Sequence, residues 1–405
     1  MSADESRDAV AAAARRAAAI AAVVDRDLSP IVRRIGALVR LDSGADAPVG
    51  RERVADLIGE WAGEAGCEVE YMPGTGGTSI VATLPGAGTA RLALIGHYDT
   101  AYSAGVAMER GFEVRDRIGV GPGAAHMKGG VVLALEALAA LREDERPFAA
   151  VELHCAPDKE TRPEGPFVTL ERVRGADAAL VLDHARGSGD LILDRKSQCA
   201  LRLLARGRGA RAGEHPEQRR SALLALCREV LRCDDLNGLR DGLVVTTGAL
   251  SAGLSGDTVA AEAEAEIDLR AWATADVVWA LEQVRGTGTY DGVTFEADGV
   301  SLWPAMVADH HTRRIYNVAA QIAAAVETPI GARRVGTVSD GCWTAAAGVP
   351  TIDGLGPLGG NAYSPEEFIE VVSIPERCGL LVGLITALGA LAGEDHDVLA
   401  ADRVD

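Results

Sequence analysis

The texture of the sequence changes twice along the chain, and that pattern constrains the fold more than any single motif. Up to about residue 196, short apolar runs alternate with stretches of helical periodicity. Residues 51–66 place Val54, Leu57, Ile58 and Trp61 at helical spacing, and 129–141 is a second apolar helix. Residues 79–84, 91–95, 149–155 and 178–182 read as strands. Strands alternating with helices predict an α/β domain with a mostly parallel sheet. From Ser197 the order becomes strand 199–205, helix 220–231, strand 242–249, strand 258–269, helix 275–284 and a last strand near 293–297, a ferredoxin-like β-α-β-β-α-β unit. The α/β texture then returns, with helices at 312–326 and 374–391. The expectation is a discontinuous α/β domain, 1–196 and 304–405, carrying an inserted α+β domain at 197–303.

A chain of 405 residues with 48% hydrophobic content can fill two cores. Its formal charge of −19 excludes nucleic acid and anionic membrane surfaces as partners, since both need clustered Lys and Arg. A small molecule or peptide fits better. The apolar stretch 9–24 is interrupted by Arg15 and Arg16 and preceded by Asp4, Glu5 and Asp8, which suits neither a signal peptide nor a membrane span. It reads as an Ala-rich surface helix. Seven cysteines without CxxC spacing argue against a structural zinc knot and point to reduced thiols in the cytoplasm. Cys227 and Cys233 read as small buried hydrophobes.

Three segments are hard to explain by packing. His97 and Asp99 stand two apart just after the apolar run 91–95, where both side chains can leave a strand end on one side. Residues 119–130 form a Gly-rich loop that carries His126 into a helix; the loop lacks phosphate-binding spacing. Asp158, Lys159 and Glu160 follow the strand 149–155 directly. With the segments 336–341, 348–357 and 359–368, and with 209–213, Ala222 and Asp268-Leu269-Arg270, these resemble the M20 family of zinc aminoacylases and carboxypeptidases over nearly the whole chain. The glutamate-carboxypeptidase branch is the most similar.

The resemblance implies a two-zinc site on the floor of a cleft. It also implies a lid, here the inserted domain, that clamps a substrate carboxylate and forms a homodimer interface. In such a site a metal-bound water attacks an amide while a Glu takes its proton. His97 matches the first ligand, Asp99 its orienting carboxylate, Glu160 the third-motif ligand and Asp183 the ligand at the next strand end. Other positions depart. His126 stands where a carboxylate bridges two ions, Lys159 where the general base belongs, and Tyr363 where the family has a C-terminal His. On the lid, Arg211 replaces a His, Asp257 replaces an Asn, and Arg270 is retained. His215, four residues on, could stand in for the lost lid His by a local shift, though nothing in the sequence demands it.

Replacing Asp by His126, Glu by Lys159 and His by Arg211 swings the local charge by roughly four units toward positive, which collides with two dications. Each lost group is replaced by another functional side chain, so the pocket reads as repurposed. Three metal states stay open: none, one zinc on His97, His126 and Asp183, or two. The expected catalytic set is Lys159, Glu160, His126, Asp99 and Tyr363. The substrate-binding set is Arg211, Arg270, Asp257 and Asn361, with the guanidinium forks suited to a carboxylate. Without metal, Glu160 and Asp183 would pair with Lys159. Plainer readings stand beside these: a core histidine held by Asp99, a salt bridge at Lys159, and solvated or core roles for His154, His310, His311 and His396.

The lead expectation is an enzyme on a small carboxylate-bearing amino-acid or peptide-like substrate, with a reaction shifted to condensation, cyclisation, elimination or isomerisation. The alternatives are a mononuclear zinc hydrolase of N-acyl amino acids and a non-catalytic ligand-binding protein.

Overall fold

The computed structural model describes residues 3–141, 146–161, 166–187, 189–211, 213–214, 217–285, 289–325 and 327–392. His215 and His396 therefore lie outside the described residues.

A six-stranded sheet organises the larger unit, in the spatial order Glu68–Gly74, Gly77–Pro85, Phe148–Ala156, Ala90–His97, Ala178–Val181, Thr351–Ile352. The first two strands pair antiparallel, as do the second and third; the other pairs are parallel. The fold is thus mixed α/β with a mostly parallel main sheet. Leu92, Ala93, Leu94 and Ile95 are all buried, as a strand covered on both faces requires. Helices Ser29–Val39, Pro48–Glu64, Gly129–Leu141 and Ile374–Leu391 pack on the thick face around Val54, Leu84, Leu94, Val132 and Leu381. The opposite face carries a thinner cluster of Ile95, Phe167, Leu170 and Val181.

Two stretches, Ala124–Leu141 and Val371–Leu391, are long and apolar enough to cross a membrane by composition. They are 83% and 78% buried inside the protein, which makes them core helices.

The N-terminal helix refines one expectation. It runs Ala3–Arg26 at the surface, most of its side chains exposed or half-buried, but one face is not solvated: Val10, Ala13, Ala14 and Ala17 are buried, and the helix packs on Ile374–Leu391. Small residues allow the close approach: a Cβ on Gly379 would lie 2.4 Å from the Ala17 carbonyl oxygen.

The inserted segment forms a five-stranded, wholly antiparallel sheet in the order Val244–Ala252, Glu262–Ala271, Ser197–Arg206, Val293–Trp303, Thr289–Tyr290. Buried and outward positions alternate along Ser197–Arg206 and Glu262–Ala271, so one face is left for helices Ala222–Asp234 and Thr274–Arg285 to cover. Leu201, Leu203, Leu226, Ile267, Leu269 and Val277 belong to this second core. Residues 258–269 are not one strand. Thr258–Val259 turns aside to pair with Ala210–Arg211, and the carbonyls of Ala260 and Ala261 accept from Ala222 and Gly207 before the long strand begins. The two chain crossings between the units lie side by side: Arg195 and Met306 exchange backbone hydrogen bonds of 2.8 and 3.1 Å, and Ser197 Oγ donates to the Trp303 carbonyl at 2.7 Å.

Parallel pairing puts the carboxyl ends of Ala90–His97, Phe148–Ala156 and Ala178–Val181 along one edge, where such sheets present side chains to a crevice. The helix contact beneath gives a direct test. Gly379→Val overpacks it against Ala17 and is expected to destabilise the protein by roughly 1–3 kcal/mol, read as a lowered midpoint in urea unfolding.

Candidate active site

Asp99 is the keystone of that edge. It is fully buried and meets three groups: Oδ1 lies 3.1 Å from His97 Nδ1 and accepts from the Lys159 backbone N–H at 3.0 Å, while Oδ2 accepts from the Glu160 N–H at 2.7 Å. One carboxylate thus fixes His97 on its own strand end and the loop after the neighbouring strand. Donation from Nδ1–H leaves the lone pair on His97 Nε2. That nitrogen is buried, has no hydrogen-bond partner among the described residues, and lies 3.9 Å from Glu160 Oε1.

Glu160 Oε1 is the meeting point of the next layer. Lys159 Nζ approaches it to 2.8 Å, His126 Nε2 to 3.0 Å, and the Tyr363 hydroxyl donates to it at 3.0 Å. Lys159 Nζ also lies 3.0 Å from His126 Nε2 and 3.3 Å from the Tyr363 oxygen. Burial alone would strip the proton from Lys159, but Glu160, Tyr363 and Asp183 hold it above the ordinary lysine range. Burial likewise opposes ionisation of Glu160, yet His126 and Lys159 keep its carboxyl well below the usual range. Lys159 is therefore a fixed ammonium, a proton donor and positive charge. Tyr363 reaches it from a loop in which Asn361 (φ 54°) and Tyr363 (φ 68°) both adopt left-handed backbone.

On the deep side of His126, Nδ1 stands 2.7 Å from Asp183 Oδ1 without the alignment of a hydrogen bond, and neither atom has such a partner among the described residues. Burial and Lys159 disfavour the imidazolium, whereas Asp183 and Glu160 favour it, and the balance lifts His126 to about 9. Asp183 does not pair with Lys159 as expected from the sequence. Arg195, which is 1% exposed, takes it instead: Nη2 donates to Asp183 Oδ2 at 2.9 Å and Nε to Asp353 Oδ2 at 2.7 Å, with Thr337 receiving Nη1. A guanidinium between two acids outcompetes a more distant ammonium. His184, next in the chain, is buried and driven down to about 4, chiefly by that burial, so it is a neutral imidazole. The crevice lined by His97, His126, Lys159, Asp183 and Ser339 is too tight to admit a water molecule.

The Gly-rich loop is fastened by two groups that carried no signal in the sequence. Glu367, 1% exposed, accepts from the backbone N–H groups of Gly123, Ala125 and His126 at 2.9–3.0 Å and from the Tyr102 hydroxyl at 2.8 Å. Lys128 donates to the Leu38 and Leu41 carbonyls at 3.0 and 2.9 Å, and burial lowers it to about 7.

The substrate-binding candidates lie elsewhere. Arg211 is exposed beside Thr258, and Asp257 accepts from Ser255 Oγ at 2.5 Å. Arg270 donates to the Gly336 carbonyl at 2.7 Å and pairs with Asp268. Asn361 donates to the Glu366 carbonyl at 3.4 Å. None of the four forms a hydrogen bond or ion pair with the Lys159–Glu160 cluster among the described residues. His154 has a core role, bonded to Thr169 Oγ1 at 3.0 Å, and His310 and His311 are exposed at a helix start.

Residues 93–387 match the family model described as Peptidase family M20/M25/M40. The chain belongs to this family. Similar solved structures include aminopeptidase PepT from Bacillus cereus (20% identity, TM-score 0.72, 88% of this chain and 98% of that one). The M20 metallo-carboxypeptidase Sso-CP2 from Sulfolobus solfataricus (13%, 0.71, 89% and 99%) and human carnosine dipeptidase 1 (13%, 0.67, 92% and 99%) share the same fold. Comparison with curated protein sequences gives no match.

A two-zinc M20 centre does not fit these donors. His126 offers single nitrogens where a carboxylate must span two ions, and the Lys159 ammonium, without a lone pair, sits 2.8–3.0 Å from two of the would-be ligands. The trio expected from the sequence, His97, His126 and Asp183, is also not brought together. Metal-competent atoms instead converge, each group within 4.8 Å, as His97–His126–Glu160 and as His126–Asp183–His184. His184 was missed because adjacent residues on a strand face opposite ways; the strand ends at Val181, which frees 182–184 from that rule.

Removing Glu367 exposes how much the loop depends on it. Glu367→Ala strands three N–H groups, two of them buried, and is expected to cost roughly 3–5 kcal/mol in urea unfolding, with Glu367→Gln falling between it and the parent.

Proposed function

We propose that this M20 protein is an enzyme acting on a small, carboxylate-bearing amino-acid or peptide-like substrate, with Lys159 supplying fixed positive charge where the family relies on a general base beside metal. The observation that carries this reading is the Lys159 ammonium set between Glu160 and His126 at 2.8 and 3.0 Å. Water activation of the ordinary M20 kind lacks its base there. The remaining acceptor is the Asp99–His97 pair, whose Nε2 lone pair is unengaged, and the donors are Lys159 and Tyr363. A base on one side and cationic or phenolic donors on the other suit reactions that move a proton and stabilise charge on a carbonyl or carboxylate oxygen. Cyclisation, condensation, elimination and isomerisation belong to that class.

Relatives named as aminopeptidase, carboxypeptidase and dipeptidase support an amino-acid or peptide-like substrate. Arg211 and Arg270 on segment 197–303 would receive its carboxylate, as in the glutamate-carboxypeptidase branch, with that segment acting as a lid and as the face of a homodimer. The reading places the enzyme in the cytoplasm. A second reading, a mononuclear zinc amidohydrolase of N-acyl amino acids, is favoured by the His126–Asp183–His184 donors.

The test is product analysis by mass spectrometry over a panel of dipeptides, N-acyl amino acids and free amino-acid derivatives. Turnover is expected to survive dialysis against chelator and to fall about 100-fold or more in Lys159→Met. Hydrolysis that vanishes with chelator and persists in Lys159→Met would reinstate the zinc amidohydrolase. Ligand-induced stabilisation with no product from any compound would mark a binding protein.

A further inference from the structure

We propose that the Tyr363 phenol is a displaceable cap, and that the place its hydroxyl fills beside Lys159 and Glu160 is a subsite for a neutral group that both donates and accepts a hydrogen bond, a primary carboxamide or a hydroxyl. The proposal rests on the functional reading above only in taking the Lys159–Glu160 cluster as the active site.

The first observation is that the cluster is closed. On its deep side the crevice lined by His97, His126, Lys159 and Asp183 has no room for a water. The side chains of His126, Glu160 and Lys159 are only 10%, 9% and 7% exposed. Tyr363, 54% exposed, reaches in from solvent, with its hydroxyl 3.0 Å from Glu160 Oε1 and 3.3 Å from Lys159 Nζ and its ring centroid 5.3 Å from that of His126. A substrate approaching the ammonium from solvent meets this phenol first.

The second is that Tyr363 is held lightly at its tip and firmly at its backbone. Among the described residues its hydroxyl has those two polar partners, and the contact to Lys159 is the longest of the three that the ammonium makes. The loop around it is fastened. Ser364 N–H donates to the Asn361 carbonyl at 3.1 Å, Ser364 Oγ accepts from the Glu366 N–H at 3.1 Å, and Arg110 Nη1 donates to the Ser364 carbonyl at 3.4 Å. The side chain can therefore turn about its own bonds while the loop stays in place. Tyr363 holds φ at 68°, in the left-handed region that bulky residues rarely occupy, and strain of that kind collects at ligand clamps and switch segments.

The third is the chemistry of the place the phenol fills. The hydroxyl donates to Glu160 and accepts from Lys159, whose Oε1 and Nζ stand 2.8 Å apart. A group that replaces it must do both. A primary carboxamide does, because its oxygen and one N–H lie on the same side, and so does an alcohol. A trans peptide bond, with C=O and N–H on opposite sides, satisfies one partner and leaves the other bare. A carboxylate offers acceptors alone and sets like charge against Glu160. The subsite thus takes the neutral end of a substrate and directs its carboxylate elsewhere. The released phenol is then free to donate to the group that displaced it.

The test uses the full-length protein with Tyr363→Phe and Tyr363→Gly, each checked for folding by circular dichroism and thermal unfolding. Glycine suits the left-handed backbone at this position, so Tyr363→Gly is expected to fold. Hydroxyl-radical footprinting with peptide mass spectrometry reads labelling at His126. A severalfold rise is expected in Tyr363→Gly, and a smaller rise in Tyr363→Phe, which keeps the ring and loses both hydrogen bonds. Unchanged labelling in Tyr363→Gly would overturn the cap. A rise in Tyr363→Gly with none in Tyr363→Phe would make it ring packing and overturn the part given to the hydroxyl. Saturation-transfer NMR on the methyl signals of acetamide and acetate then reads the subsite. Acetamide is expected to bind Tyr363→Gly and not the parent, with no binding of acetate to either. Acetate bound as well as acetamide, acetamide bound equally by the parent, or no acetamide binding would each overturn the assignment of a neutral group. Neither readout needs turnover: unchanged turnover in Lys159→Met would remove the reaction proposed above and leave the subsite standing, and failure here leaves that reaction standing.

Discussion

Glu160 Oε1 gathers an ammonium, an imidazole and a phenol within 3.0 Å, and the rest of the site is arranged around keeping that buried charge satisfied. An isolated carboxylate in such surroundings would be costly, and so would an isolated ammonium. Each is tolerable because the other is present and because the Asp99 carboxylate fixes the backbone of both residues. Asp99 lies on the loop after one parallel strand, and Lys159 and Glu160 on the loop after the next. The alignment of strand ends in the main sheet is therefore a precondition of the charge pair rather than a backdrop to it.

Much of this was legible in the chain. Long elements with consistent periodicity, such as Gly129–Leu141 and Ile374–Leu391, fall where their apolar pattern placed them. The catalytic and metal-ligand candidates at 97, 99, 126, 159, 160, 183 and 363 gather at one edge because each ends or follows a strand or a glycine-marked turn, features that sequence displays directly. The misses have a common cause. Arg195, Glu367 and the buried face of Ala3–Arg26 look like surface residues, since charge and alanine are the usual marks of solvent exposure. Their burial depends on partners far away in sequence: Asp353 for Arg195, the 123–126 backbone for Glu367, and the glycines of the last helix for the alanines. No local pattern encodes such pairings.

Arg195 also shows how the two units are joined. It is the residue at which the chain leaves the larger unit, its backbone is tied to Met306 just beyond the returning strand, and its side chain ends on Asp183. Thr337, which receives the same guanidinium, adjoins Gly336, whose carbonyl takes Arg270 from the inserted sheet. The deep wall of the site and the seating of the inserted unit therefore share one loop and one buried cation.

On the proposed reading, in which His126 and Lys159 occupy substituted family positions, the buried charges point to replacement rather than decay. Loss of metal ligands without compensation would leave Glu160 and Asp183 as buried, uncompensated acids, and breaking a buried pair in that way costs roughly 3–5 kcal/mol. Selection for stability alone would then convert them to neutral residues. Both acids persist instead, each with a cation placed against it: Lys159 for Glu160, and Arg195 with His126 for Asp183. A neutral apolar floor would have stabilised the domain as well with fewer requirements on geometry. Retaining ionised groups in opposed pairs makes sense where their charge is used, and that is the physical ground for the function proposed above.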